Sequence, residues 1–328
     1  MDYTRLMAKG IRVHAFGDAS VLKYEDLPDA PPKSGEAAVK IDAAGVNFLD
    51  VYHRSGVYPI PLPITLGQEA AGTVTAVGEG VTSVKPGDRV AWTGLFGSYA
   101  ETNTVPADRL VRLPAGITAK QGAAAMLQGI TAHYLATSTY PLEPGDTCLI
   151  HAGAGGVGLL LTQVAKLRGA RVITTVSTDE KAALSRAAGA DEVIRYTTQE
   201  FDAEVKRFTN GRGVEVVYDS VGKTTFEKSL TCLAPRGMLV LFGQSSGKPD
   251  KFNPLDLTKG SWFLTRPTIV HHIAEPSELQ RRAKDVFDWI ASGRLTLRTE
   301  FEFPLKDAAA AHRALEGRAT TGKVLLIP

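Results

Sequence analysis

Hydrophobic and polar positions change rhythm near residue 130. From about 11 to 125 the apolar residues come in short alternating runs, such as Ala37-Ala38-Val39-Lys40-Ile41 and Gly72-Thr73-Val74-Thr75-Ala76-Val77, bounded by Gly and Pro clusters. Many short strands with such punctuation predict a barrel or a sandwich. Lys85-Pro86-Gly87-Asp88-Arg89-Val90 reads as a turn feeding a strand, with Asp88 fixing the turn. From about 130, strand-like runs begin near Cys148, Val172, Val193, Val214 and Met238, with helix-like segments near 157–168, 179–188, 199–209 and 223–233. This alternation predicts an α/β unit with a doubly wound parallel sheet. Residues 262–265 suggest another strand, and 277–292 a helix with Leu279, Ala283, Val286, Phe287 and Ile290 on one stripe. Val324-Leu325-Leu326-Ile327 reads as a final strand that returns to the first region.

One segment carries specific chemistry. The run His151-Ala152-Gly153-Ala154-Gly155-Gly156-Val157-Gly158 lies between the strand Thr147-Cys148-Leu149-Ile150 and the helix that opens at Leu159. Strand, glycine turn and helix is the context in which backbone N–H groups and a helix dipole cradle a pyrophosphate. The plain alternative is a tight strand-to-helix turn. An NAD-preferring site usually ends its second strand in an acid that binds the ribose hydroxyls. Here Arg171-Val172-Ile173-Thr174-Thr175-Val176 ends in Ser177, and Lys181 follows one turn into the next helix. The missing acid favours NADPH. The competing reading has Ser177 or Thr178 capping the helix and Lys181 on its wet face. Ser177, Tyr196, Asp219-Ser220 and Phe242-Gly243-Gln244-Ser245 fall at the carboxyl ends of predicted strands, where ligands bind in such sheets.

Composition bounds the remaining possibilities. The chain has 328 residues, enough for two domains of ordinary size. Its net charge of +2 gives no electrostatic case for nucleic acid or a membrane surface. No apolar run is long enough for a membrane span, and the first residues lack a signal-peptide core. Cys148 and Cys232, the two cysteines, lie among apolar neighbours and read as buried free thiols of a reducing compartment, so a cytoplasmic setting is expected. His53 reads as an exposed loop residue and His151 as a packed strand end. No histidine spacing suggests a metal site.

Further pieces resemble a known family. They are Ala43-Ala44-Gly45-Val46-Asn47-Phe48-Leu49-Asp50, Arg54-Ser55-Gly56-Val57-Tyr58-Pro59, Gly67-Gln68-Glu69-Ala70-Ala71-Gly72, the glycine run, Val217-Tyr218-Asp219-Ser220-Val221-Gly222, Phe242-Gly243-Gln244-Ser245-Ser246 and Arg318-Ala319-Thr320-Thr321-Gly322. In order and spacing they resemble the medium-chain dehydrogenase/reductase superfamily, and within it the zinc-independent, zeta-crystallin-like quinone oxidoreductases. The resemblance implies a GroES-like β-barrel domain in 1–129, a Rossmann domain in 130–265 and a return to the barrel domain in 266–328. It also implies a homodimer, NADPH as hydride donor, and quinones or related enones as acceptors. Zinc-dependent relatives carry a Cys near Asn47 and Gly-His-Glu where this chain has Gly67-Gln68-Glu69. Amides are poor zinc ligands beside thiolate and imidazole, so no metal is expected.

Without a metal, hydride transfer needs a held nicotinamide and a positioned acceptor, and a quinone needs little Lewis-acid help. The resemblance puts Asn47 and Tyr52 at that position. Asn47 would bond the nicotinamide amide or the acceptor oxygen, and Tyr52 would donate to that oxygen. The alternatives are an Asn that fixes a loop and a half-buried Tyr with a wet hydroxyl. Carried over residue by residue, Thr131 and Tyr134 match positions near the nicotinamide, and Gly155, Gly156 and Val157 the pyrophosphate turn. Ser177, Lys181 and Tyr196 match the adenosine phosphate pocket, with Arg318 near it. Ser220, Phe242, Gly243, Gln244 and Ser245 match the inner lining, and Phe263, Leu264 and Thr265 the carboxamide end. Two other readings remain beside quinone reduction: an alkenal or enone reductase of the same fold, and an NADPH-binding structural or RNA-binding protein. No basic stripe with interleaved aromatics favours the last.

Overall fold

A computed structural model describes residues 7–28 and 30–328. The chain divides into two compact units, one of 1–127, 273–291 and 297–328, the other of 128–272 and 292–296.

The first unit opens with β1 (Ala8–Val13), β2 (Leu22–Leu27), β3 (Glu36–Val46), β4 (Ile64–Thr65), β5 (Glu69–Val77), β6 (Arg89–Thr93), β7 (Thr102–Pro106) and β8 (Val111–Arg112). Alternation along β3 is the expected one: Ala37, Val39 and Ile41 point into the core, and Lys40 and Asp42 point to water. Two helices interrupt this β-rich stretch: α1 (Phe48–Arg54) and α2 (Ala119–Tyr134). The sequence reading gave neither. It also placed His53 in an exposed loop, whereas His53 is half-buried on α1 with Nδ1 3.1 Å from the Tyr58 carbonyl. Residues 123–127 and 130 of α2 are all buried, so no polar face marks the segment as a helix.

The second unit carries β9 (Thr147–Ile150), α3 (Gly156–Leu167), β10 (Arg171–Val176), α4 (Asp179–Ala187), β11 (Glu192–Arg195), α5 (Phe201–Phe208), β12 (Val214–Asp219), α6 (Phe226–Thr231), β13 (Leu233–Leu241), β14 (Phe263–Thr265) and α7 (Ile269–His272). The six strands form one sheet in the order β11-β10-β9-β12-β13-β14, and every pairing is parallel. Strands β9 to β11 run one way from β9, and β12 to β14 the other, so the order reverses beside β9. The α6 helix ends at Thr231, earlier than the pattern suggested, because β13 already begins at Leu233. Both cysteine thiols are free and buried. Burial pushes the Cys232 thiol up to about 12.

After α8 (Pro276–Ala291) the chain forms β15 (Phe301–Pro304), α9 (Ala308–Glu316) and β16 (Val324–Ile327). β16 lies antiparallel to β3 and completes a seven-stranded sheet in the first unit, ordered β15-β16-β3-β5-β6-β8, with β7 paired to β3. A second sheet, β2-β1-β4, meets it through the Gly10–Ala100 bridge. The core between them holds Ile11, Val39, Leu66, Trp92, Tyr99 and Leu326.

Candidate active site

The glycine run of the second unit follows β9, at the point where the strand order reverses. Ala152 has φ of +53°, a left-handed conformation unusual for a residue with a side chain. That turn brings its carbonyl against the start of α3. A Cβ on Gly158 would stand 2.2 Å from the Ala152 carbonyl oxygen, and one on Gly156 2.1 Å from Gln128 Oε1. At Gly158 the obstacle is backbone and only glycine fits; at Gly156 it is the end of the Gln128 side chain, which can move aside. Gly155 is the N-cap of α3, so Gly156 and Val157 form its first turn, where backbone N–H groups have no carbonyl within the helix. Aligned peptide dipoles add positive potential there. His151, before the turn, is buried, with Nδ1 2.9 Å from Thr175 Oγ1 and Nε2 2.9 Å from Ser229 Oγ. Burial lowers its pKa, so the ring is a neutral packing element.

Several of the expected residues gather at neighbouring strand ends. Ser177 follows β10 and Tyr196 follows β11, in adjacent strands with Val176 opposite Arg195. The Tyr196 N–H donates to the Val176 carbonyl, and Thr197 Oγ1 donates to the Ser177 carbonyl. Thr178, not Ser177, caps α4: its hydroxyl accepts from the Lys181 N–H. The nearby acid Asp179 is paired with Arg195 at 2.7 Å. On the other side of β9, Ser220 and Phe242–Ser245 follow the paired ends of β12 and β13. The Phe242 N–H donates to the Asp219 carbonyl and the Ser245 N–H to the Ser220 carbonyl. Asp219 is buried and holds this turn, accepting from the Val221 and Gly222 N–H groups and the Thr225 hydroxyl. Thr265 ends β14, opposite Val240, while Phe263 and Leu264 stand exposed on that edge strand. Thr131 and Tyr134 lie buried on α2, with the Tyr134 ring stacked 4.0 Å from that of His272. Arg318 belongs to the first unit, just beyond α9, with φ of +56°.

Asn47 and Tyr52 sit on α1 of the first unit, Asn47 as its N-cap. Tyr52 is half-buried, its ring 5.1 Å from that of Tyr58 and 6.2 Å from that of Phe48. Asn47 is buried in a polar network that the sequence did not reveal. Its Nδ2 donates to Glu69 Oε2 at 2.9 Å, its Oδ1 accepts from Lys323 Nζ at 2.9 Å, and its backbone N–H donates to Asp50 Oδ2 at 2.8 Å. Lys323 Nζ also donates to Glu69, whose Oε1 accepts from the Leu127 N–H.

A chain of donors leads on from Asp50. Arg54, donor-only, faces His312 Nδ1 at 3.1 Å, so that nitrogen must accept and Nε2 carries the proton. Nε2 then donates to the Tyr99 oxygen, and Tyr99 donates to Asp50 Oδ2 at 2.9 Å. Arg54 closes the chain with a bidentate pair to Glu316. Burial and the Arg54 charge push the His312 pKa down to about 3, so its ring stays neutral. Burial pushes Asp50 up to about 7 despite its two donors.

Two family models match the chain. Residues 33–115 match the alcohol dehydrogenase GroES-like domain, and 156–291 match the zinc-binding dehydrogenase domain. The chain is 47% identical over 325 residues to a quinone oxidoreductase of Pseudomonas aeruginosa, covering 98% of this chain and 100% of that protein. The chain belongs to the zeta-crystallin-like quinone oxidoreductase family. Within the family it is similar to the Escherichia coli quinone oxidoreductase solved in complex with NADPH, with a TM-score of 0.96, 44% identity, and 98% and 100% of the two chains covered. It is also 42% identical over 327 residues to a 2-haloacrylate reductase of a Burkholderia species, covering 96% of this chain and 98% of that one.

The residues present fit the family's dinucleotide. Orphan N–H groups at α3 suit the pyrophosphate that any such dinucleotide carries, and a second strand without a terminal acid suits one with a further phosphate on the adenosine ribose. One of the matched domains takes its name from zinc. At the positions compared for zinc ligands this chain has Asn47 and Gln68, and the Glu69 carboxylate is already met by the Lys323 ammonium.

Proposed function

We propose that this chain catalyses NADPH-dependent reduction of quinones, with no metal. The observation that carries the reading is the glycine turn at the strand-order reversal, joined to a second strand that ends in Ser177 with Asp179 neutralised by Arg195. Gly155, Gly156 and Val157 hold the pyrophosphate. Ser177, Lys181, Tyr196 and Arg318 receive the adenosine phosphate. Ser220, Phe242, Gly243, Gln244 and Ser245 line the inner pocket, and Thr131, Tyr134, Phe263, Leu264 and Thr265 hold the nicotinamide end. Bound NADPH supplies a hydride. Asn47 positions the acceptor or the carboxamide, and the Tyr52 hydroxyl donates to the acceptor oxygen. Two electrons enter as the hydride and one proton follows from Tyr52 or water, giving the hydroquinone. A quinone is already electrophilic, so most of the rate comes from holding the partners together.

The alternative acceptor is an activated C=C bond, favoured by the likeness to the 2-haloacrylate reductase. Incubation with NADPH and 1,4-benzoquinone or 9,10-phenanthrenequinone, followed by NADPH absorbance, separates the two readings when trans-2-alkenals are run in parallel. NADPH consumption with quinones and not with alkenals is the expected result. Binding of NADPH without oxidation above the uncatalysed rate sinks the enzymatic reading. No described helix is long and apolar enough to cross a membrane, and the free buried thiols suit a reducing cytoplasm. A homodimer also belongs to this proposal: β14 is an edge strand exposing Phe263 and Leu264, and edge strands invite pairing with a second copy.

A further inference from the structure

Among the described residues of the first unit, the Lys323–Glu69 pair is the most deeply buried ion pair, with side chains 2% and 0% exposed. Burying such a pair gains little over apolar side chains of the same volume, so it is weak as a stabilising device. Its geometry is informative instead. An ammonium only donates and a carboxylate only accepts. Asn47 is held between them, Oδ1 toward Lys323 and Nδ2 toward Glu69. A flipped amide would set its NH2 group against the ammonium and its oxygen against the carboxylate. One orientation is therefore permitted. The backbone keeps space for the pair: a Cβ on Gly45 would lie 2.3 Å from Glu69 Oε2 and 2.6 Å from Lys323 Nζ. The backbone of Asn47 is pinned as well, by Asp50.

We propose that Lys323 is a positioning residue for the reduction, fixing the Asn47 amide in one orientation. The second Nδ2 hydrogen points to the Gly45 carbonyl at 3.4 Å, so the amide is held at both ends in that one orientation. Lys323 acts through Asn47 and touches no reacting atom. The inference rests on the reading that Asn47 serves the reaction.

Three variants test it: Asn47→Ala, Lys323→Met, and the double variant Glu69→Gln/Lys323→Met. Each is read for Tm, for NADPH Kd by nicotinamide fluorescence, and for kcat with 1,4-benzoquinone. Lys323→Met is expected to lower Tm, because it strands a buried carboxylate, and to lower kcat about tenfold or more, with NADPH Kd within about twofold. In the double variant no buried charge is stranded, so Tm recovers while kcat stays low. A kcat that recovers together with Tm overturns the inference, because a purely structural pair predicts that result. Asn47→Ala separates the two levels. If it keeps full kcat, the reading of Asn47 itself fails and this inference with it. If it loses kcat while the double variant does not, the inference alone fails.

Discussion

Asp50 accepts from the Asn47 N–H and the Tyr99 hydroxyl, yet burial lifts its pKa from 3.8 to about 7. Between those values the folded chain holds a proton that the unfolded chain has released. The stability that this proton confers is therefore complete below about pH 4 and is lost as pH rises through about 7. Asp50→Asn mimics the protonated form, so its Tm relative to the parent should climb from pH 5 to pH 8. Paired thermal melts check this, and a pH-independent difference would contradict it. Lys181 gives a second prediction. A charge pair about 4 Å apart is worth up to ~4 kcal/mol at an effective dielectric near 20, less with exposure. Lys181→Ala should weaken NADPH by about tenfold or more while leaving NADH nearly unchanged. Equal losses in fluorescence titrations would place Lys181 outside the phosphate pocket. The glycine turn was legible because strand, turn and helix adjoin in the chain. Sequence reading missed the Asn47 network because Asn47 meets Lys323 across 276 positions and Tyr99 meets His312 across 213. No local spacing marks such meetings.

Elements show the same division. Strands β9, β10, β12 and β13 were legible because runs of β-branched and aliphatic residues between turn signals leave few other readings. α2 was not, since burial on all sides removes the polar face that gives a helix its period. α1 was missed because it is short: seven residues are too few for a pattern. At Gly158, near the start of α3, backbone blocks any Cβ. Gly158→Ala would force its methyl into the Ala152 carbonyl, and such overpacking costs about 1–3 kcal/mol. The relief available is to move the turn, which carries the N–H groups of the pyrophosphate cradle. Gly158→Ala should therefore lose NADPH affinity by more than its drop in Tm implies. Isothermal titration beside a thermal melt measures both.

At the scale of the whole molecule, the unpaired side of β14 is the feature that looks beyond a single chain. Phe263 is 55% exposed there, and Leu255 and Val270 are exposed in the same unit. A dimer joined along this edge would continue the six-stranded sheet into a second copy. Phe263→Lys should then shift the sedimentation mass from dimer to monomer, as charged residues on an edge strand discourage pairing. An unchanged mass would place the interface elsewhere. The order of the two units was readable in outline because the hydrophobic rhythm changes once. The return of 273–291 and 297–328 to the first unit was harder to read, because β16 earns its place only by pairing with β3.

The pairing of Glu69 with Lys323 also sets a clock. The two residues lie 254 positions apart, and the entire parallel-sheet unit is encoded between them. At about 5–20 residues per second, a ribosome needs roughly ten to fifty seconds to travel from one to the other. Through that interval the nascent barrel holds a carboxylate destined for its interior with no counter-ion to accompany it. The fold of the first unit therefore waits on Lys323, while the nucleotide unit, encoded between the two, is free to form first.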